Sequence, residues 1–501
     1  MHRTIQRLSR TLLLPLLAFA SCSPGDPILP TTEARDPALS AAELDLLLPE
    51  LLTDAEIAGL SLCLISENEI VHCSAFGVTD ADTGQPVEST TVFQAASLSK
   101  PVFAYTVLRL VDRGVIELDT PLLEYVGEST ARKDHLGEDF DDARARVITA
   151  RMVLSHTSGF PNWRQKDRLE FIFEPGERFG YSGEGFGLLQ KVVERLTGSS
   201  LEELVVTECF TPLAMVNSTF SQANLDLSRY AWPHDGTGAI TPRPENFERR
   251  MEKARSHAAA TLLTTAPDYA RFVIALMTGI GLDPATHTQF LWPQVEVDDE
   301  GSVLWGLGVG LERSDAGYRA WHWGDNDDSK AFFVADPRLG EGLVYFSNSF
   351  NGLSIVGDLL EISMDGTHPL LDGALLASYP AHDSAEFRFS AAVYADGAEG
   401  AVALVRQLQQ EGAAETVAEP VVNRMGYWLL GNDRIDEAIR LFELNVELYP
   451  EAWNVYDSLG EAQLEAGLRN VGLTNYRRSL ELNPENENAK RVLAETGNLV
   501  D

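Results

Sequence analysis

The chain has 501 residues, 44% of them apolar and 23% charged, and its 75 acidic against 39 basic side chains give a formal charge of −36 at pH 7. That composition is globular, and the length allows two or more domains with a large buried core. The charge excludes nucleic acid and anionic lipid headgroups as partners, since both would be repelled, and suits a protein of an aqueous compartment.

Arg3, Arg7 and Arg10 precede the apolar run "TLLLPLLAFA", which is too short to span a bilayer as a helix and ends in small residues before Cys22. Residues 1–21 therefore read as an export signal. "FASC" resembles a bacterial lipoprotein cleavage box, which implies lipidation of Cys22 and a periplasmic or outer-membrane, lipid-anchored protein; the other reading is ordinary cleavage near Ala20. The Pro-rich residues 22–40 have no apolar period and suit a tether.

Residues 58–80 form two strand-like runs that look like a hairpin and carry Cys63 and Cys73. A cross-strand bridge is geometrically demanding, so the expectation is two buried small hydrophobes, with Cys209 as a further thiol. No C-x-x-C and no histidine pair at ligand spacing occurs, so neither a metal nor a cofactor is expected.

The segment "QAASLSKPVFAYTVLRLVDRG" (94–114) predicts an amphipathic helix with Ser97 and Lys100 in its first turn. Residues three apart on a helix have Cβ atoms about 5–6 Å apart, so the ammonium can reach the hydroxyl. Pro101 is tolerable only near a first turn. Of seven lysines, Lys100 alone has a serine three residues before it. A long helical middle follows, and residues 305–348 return to strands: "WGLGVGLE", "YRAWHWG", "KAFFVADP" and "GLVYFSN". Strands at both ends with helices between imply one sheet built from distant segments, on which the apolar helix "NGLSIVGDLLEIS" should lie.

Toward the C-terminus, Pro450 and Pro484 are 34 residues apart, and the same offset relates Phe442 to Tyr476, Ala438 to Gly472 and Gly426 to Gly460. This order of small residue, aromatic and proline resembles tetratricopeptide repeats, which implies an all-α repeat domain over 385–501 that could take a protein or peptide partner. Two clear repeats are few, so neighbouring helices should cover the ends.

Three short stretches complete a pattern: Ser97-x-x-Lys100, Tyr181-Ser182-Gly183 and His322-Trp323-Gly324. In this order they resemble the serine β-lactamase family, which includes class C β-lactamases, DD-peptidases, D-aminopeptidases and related carboxylesterases. The resemblance covers about Ala41 to Met364. It implies an α/β (α+β) β-lactamase-like fold over 41–366, with an antiparallel sheet flanked by helices and a helical lobe, followed by a linker at 367–384. It also implies that Ser97 attacks a carbonyl, that Tyr181 with Lys100 moves its proton, and that the backbone amides of Ser97 and Asp325 form the oxyanion hole. Lysine and tyrosine are both protonated at neutral pH unless tuned, so either can be the base. Gly183 stands where the family has asparagine, and His322, a weak cation, where it often has lysine; with Trp323 and Gly324 these are the expected substrate-binding positions. Trp323 and Phe160 are candidates for an apolar pocket, Phe160 equally for the core. His156 reads as structural.

These features predict an exported serine hydrolase with an acyl-serine intermediate, acting on a small ester, amide or peptide and esterase-like more than β-lactamase. The alternatives are a DD-peptidase or β-lactamase, and a catalytically weak scaffold whose repeats bind a protein. All three boxes precede Ala385, so the sequence assigns the repeats no part in the site.

Overall fold

The runs Gly59–Ser66 (β1) and Glu341–Ser347 (β11) are separated by most of the catalytic segment, yet they pair antiparallel with Cys63 opposite Val344. The computed structural model describes residues 41–164, 168–314, 317–410 and 417–497; Cys22, the export signal and the tether lie outside the described residues. Between β1 and β11 come β2 (Glu69–Asp80), β3 (Gln85–Pro86), β4 (Phe93–Ala96), β5 (Leu262–Thr264), β6 (Val295–Glu296), β7 (Val303–Trp305), β8 (Gly310–Ser314), β9 (Gly317–Asp325) and β10 (Lys330–Asp336). Nine of these make one sheet in the order β3-β2-β1-β11-β10-β9-β8-β7-β6, while β4 and β5 form a separate ribbon. All named pairings are antiparallel.

The central strands are buried on both faces, and their alternation sorts them into two cores. Ala331, Phe333, Val344 and Phe346 face a helical lobe, packing with Val102, Phe103 and Leu108 of α2 (Ser99–Asp112) and Phe186 of α3 (Gly183–Thr197). Phe332, Val334, Leu343 and Tyr345 face the opposite way, against Leu44 and Leu48 of α1 (Ala41–Asp54) and Leu359 and Leu360 of α5 (Val356–Ser363). The helix α4 (Ala266–Thr278) lies on the lobe side and contributes Tyr269 and Phe272.

Two expectations change. Residues 93–96 are strand, and the helix begins at Ser99 with nearly every residue to Leu110 buried, so α2 is a central helix rather than a surface one. Cys63 and Cys73, directly opposite on β1 and β2, form a disulfide with Cα atoms 4.1 Å apart. The register that sets the two cysteines directly opposite each other on adjacent antiparallel strands is what sequence inspection could not supply.

Beyond α5, α6 (Ala385–Gln410) precedes five helices: α7 (Glu419–Gly431), α8 (Ile435–Leu448), α9 (Trp453–Glu465), α10 (Arg469–Leu482) and α11 (Glu487–Gly497). Gly426 and Gly460 occupy equivalent places, where a Cβ would lie 2.5 Å from the Phe442 ring and 3.0 Å from the Tyr476 ring. The 34-residue offset is thus a repeated contact in which an aromatic of the second helix fills the space over a glycine of the first. All the described residues belong to one compact unit. Phe442 is fully buried among Val422, Met425 and Leu441. Phe442→Ala should therefore cost about 3–5 kcal/mol, read as an earlier unfolding midpoint of the helical signal in denaturant; an unmoved midpoint would show that this contact does not hold the helices together.

Candidate active site

Ser97 lies in the turn between β4 and α2, immediately after Ala96, whose φ of +47° is unusual for a residue with a side chain. The turn is pinned by Ser99, whose hydroxyl donates to the Ala96 carbonyl at 2.5 Å and accepts from the Leu262 amide at 3.0 Å. A side chain at Gly324 would sit 2.5 Å from the Ala95 carbonyl and 3.3 Å from Cβ of Ala96. Only glycine lets the end of β9 close on the end of β4, immediately before Ser97.

Lys100, in the first turn of α2, has no exposed surface. Its Nζ donates to Ser97 Oγ at 2.9 Å and to the Ala259 carbonyl at 2.9 Å, and lies 4.7 Å from the centre of the Tyr181 ring. Burial among rings and neutral carbonyls penalises the ammonium and brings its pKa down to about 7. Tyr181 is shifted the other way: burial raises its phenol above the ordinary value, with the nearby Ser97 hydroxyl opposing. At neutral pH the site therefore contains a partly deprotonated amine and a protonated phenol against one serine.

The residues around Tyr181 hold it without charge. His156 Nδ1 accepts from the Ser182 amide at 3.0 Å, and its ring packs 4.3 Å from that of Tyr181. Ser182 caps α3 by accepting from the Gly185 amide and donates to the Pro161 carbonyl at 2.9 Å. His156 is fully buried, with a pKa driven well below the usual histidine value by burial and then by Lys100. It fits the structural role its motif suggested.

His322 follows Trp321 and precedes Trp323 on β9, so alternation points it to the lobe while both tryptophans face the other core. It is fully buried, with Nδ1 bonded to the Trp323 carbonyl at 2.7 Å, and burial followed by Lys100 pushes its pKa down to about 3. It presents no cation at neutral pH. Trp323, 8% exposed, stacks on Trp321 and sits 5.0 Å from the Tyr181 ring. Phe160 is buried and stacked 4.5 Å from Phe171, which places it in the core and not in a pocket wall.

Gly183 is buried, and a Cβ there would meet the Asn162 carbonyl at 2.8 Å and the Trp163 indole at 3.0 Å. Its amide is held by the Asn162 backbone and side-chain oxygens at 3.0 and 3.1 Å. The space beside the second box thus belongs to Trp163, which is 47% exposed and packs 5.4 Å from the His257 ring. Sequence inspection missed Trp163 and the Ala259 carbonyl; the pairing of a glycine in the second box with a tryptophan twenty residues earlier was the one available signal.

Residues 44–360 match the family model described as Beta-lactamase. The chain belongs to the beta-lactamase family. Esterase EstB of Burkholderia gladioli is 28% identical over 304 residues, covering 51% of this chain and 75% of the relative. Penicillin-binding protein 4 of Amycolatopsis lactamdurans is 28% identical over 239 residues, or 44% of this chain, which spans 60% of that relative's length. Among solved structures, the octameric penicillin-binding protein homologue from Pyrococcus abyssi shares the fold with a TM-score of 0.53 at 20% identity, covering 62% of this chain and 74% of that one. EstCE1, a hydrolase with promiscuous acyltransferase activity, gives 0.52 at 19% identity, with 62% and 94% covered. As a member of the beta-lactamase family this protein is a serine hydrolase with a β-lactamase-like fold. Among the described residues no helix is long and apolar enough to cross a membrane.

The buried lysine has a measurable cost. Its folded pKa lies below the unfolded one, so the unfolded chain binds the extra proton between about 7 and 10.5. Stability from this group is lowest below pH 7 and recovers as pH rises through that window. Lys100→Met should raise the melting temperature, most at pH 6 and least near pH 10; an equal shift at both would show that Lys100 is not desolvated as described.

Proposed function

We propose that this protein is an exported serine hydrolase in which Ser97 carries the acyl group, and that it prefers small neutral esters to β-lactams and carboxylate-bearing peptides. The observation that carries this reading is the 2.9 Å contact between Ser97 Oγ and a Lys100 amine whose pKa is near 7. A serine hydroxyl is a poor nucleophile until a neighbouring base takes its proton. Lys100 is that base and Tyr181, held as a phenol, is the acid.

Lys100 Nζ accepts the Ser97 proton as Oγ bonds to the carbonyl carbon, and the carbonyl oxygen takes up the negative charge between the amides of Ser97 and Asp325. The tetrahedral adduct collapses by breaking the bond to the leaving group. That group takes a proton from the Tyr181 hydroxyl, which is refilled from the Lys100 ammonium. Water repeats the sequence in reverse and frees the acid.

The ester preference rests on the two anchors. At Gly183 an asparagine-like side chain has no room beside Trp163, and His322 is uncharged at neutral pH. A site without these groups loses hydrogen-bonding discrimination for one ligand class but keeps its acyl chemistry. Similarity to both an esterase and penicillin-binding proteins is compatible with either substrate class. The Cys63–Cys73 disulfide supports an oxidising, extracytoplasmic location. Lipidation at Cys22 accompanies that reading, and the glycine–aromatic helix pairs support a tetratricopeptide-like region over 385–501.

Ser97→Ala should abolish fluorophosphonate labelling and lower ester turnover by roughly ten-thousandfold or more, with little change in melting temperature; turnover at the parent's rate would remove the assignment. For the parent, kcat/KM on a nitrophenyl ester should rise with pH through about 7, as Lys100 loses its proton. That constant should exceed the one for a chromogenic cephalosporin. A cephalosporin preference would overturn the esterase reading and restore the β-lactamase one.

A further inference from the structure

On the reading proposed above, Asp325 supplies a backbone amide to the oxyanion, and its own carboxylate is a hazard there. A free negative charge on this side chain would oppose the oxyanion that the amide is to receive. Both carboxylate oxygens are tied back. Oδ1 pairs with the Lys330 ammonium, which is 2% exposed and also donates to the Asp327 carbonyl at 2.5 Å. Oδ2 accepts from the Tyr379 hydroxyl at 2.6 Å. Tyr379 lies outside the region that matches the family, in the segment that leads to α6.

That segment is fixed from the C-terminal side. Arg424 of α7 donates to the Ser378 carbonyl at 2.8 Å. Tyr394 of α6 packs edge-on at 5.5 Å against Phe350, which follows β11, and at 4.8 Å against Trp428 of α7. Packing does not close the seam, since a cavity of about 220 Å³ lies among Lys330, Phe350, Leu353, Tyr379 and Phe387. Packing against the second core and the hydrogen bonds of its backbone neighbours together place Tyr379, and its hydroxyl sets where half of the Asp325 charge points.

We propose that Tyr379 is a positioning residue for the acyl-transfer reaction, turning the Asp325 carboxylate away from the oxyanion that forms at the Asp325 amide, so that the segment joining the sheet to the helical C-terminal region completes the catalytic site through this hydroxyl. This rests on the reading of Ser97 and Asp325 given above. It gives a role to a residue of the 367–384 segment that the sequence reads only as a linker. The contact is invisible in the motif, because the hydroxyl comes from 54 residues further along the chain.

The test uses the full-length protein. In Tyr379→Phe, kcat for a nitrophenyl ester should fall about 10- to 100-fold with KM within about threefold, while the melting temperature holds. Affinity for phenylboronic acid, whose serine adduct carries the same tetrahedral anion, should fall in parallel. Asp325→Asn keeps the backbone amide and removes the charge, so in the Tyr379→Phe background it should recover most of the lost kcat. A hydroxyl that only stabilised the fold would show no such rescue. A parent-like kcat in Tyr379→Phe, or a loss that Asp325→Asn does not relieve, overturns the proposal while leaving Ser97 as nucleophile. A parent protein without ester turnover or fluorophosphonate labelling overturns both.

Discussion

A fully buried lysine with no carboxylate partner among the described residues is the constraint on which the rest of the site depends. The Lys100 ammonium has only the Ser97 hydroxyl and the Ala259 carbonyl as acceptors, and rings on its other sides. An anion beside it would repay part of the desolvation and return the pKa toward the ordinary value, leaving a permanently charged group. The surroundings withhold that anion. The titratable rings around it, Tyr181, His156, His322 and His257, are all held neutral by burial. Charge is thus kept out of the seam between sheet and lobe, and the amine gains basicity control at a cost in stability that the two large cores must cover.

The sheet's alternation makes this possible on one strand. His322 enters the lobe-side core beside Lys100, whereas Trp321 and Trp323 anchor β9 in the other core. A one-residue slip would exchange them, placing indoles against Lys100 and turning the imidazole away from it. The aromatic ladder of Trp305, Trp321 and Trp323 is therefore more than filling; it fixes the register that delivers Gly324 to Ala95.

Much of this was legible before the fold was seen, for identifiable reasons. The i to i+3 spacing of Ser97 and Lys100 carries its own geometry, and the runs YRAWHWG, KAFFVADP and GLVYFSN fall on β9, β10 and β11, whereas WGLGVGLE, read as one strand, is divided by a turn at residues 306–309 between β7 and β8. The C-terminal offset of 34 residues was legible because glycine and aromatic partners recur as pairs, which the packing of Gly426 on Phe442 and Gly460 on Tyr476 explains. What stayed hidden depends on contacts between distant segments. The residues before Ser97 read as helix because apolar periodicity over so short a run cannot separate strand from helix. The cysteine pair needed the β1–β2 register, Trp163 needed the loop that closes over Gly183, and Tyr379 needed the docking of α6.

The same long-range view bears on substrate. His322 is neutral and Lys330 is already bound to Asp325, so neither offers a cation to a substrate carboxylate. The whole chain carries −36, so its field repels an approaching carboxylate before any contact is made. Salt screens that field over about 8–10 Å, so repulsion acts mainly on encounter and the missing anchors act after it. A neutral acyl donor meets neither penalty and finds an exposed indole at Trp163. On the proposed reading, discrimination in this protein rests on shape and neutrality rather than on paired charges, while the Ser97–Lys100 contact supplies the acyl chemistry.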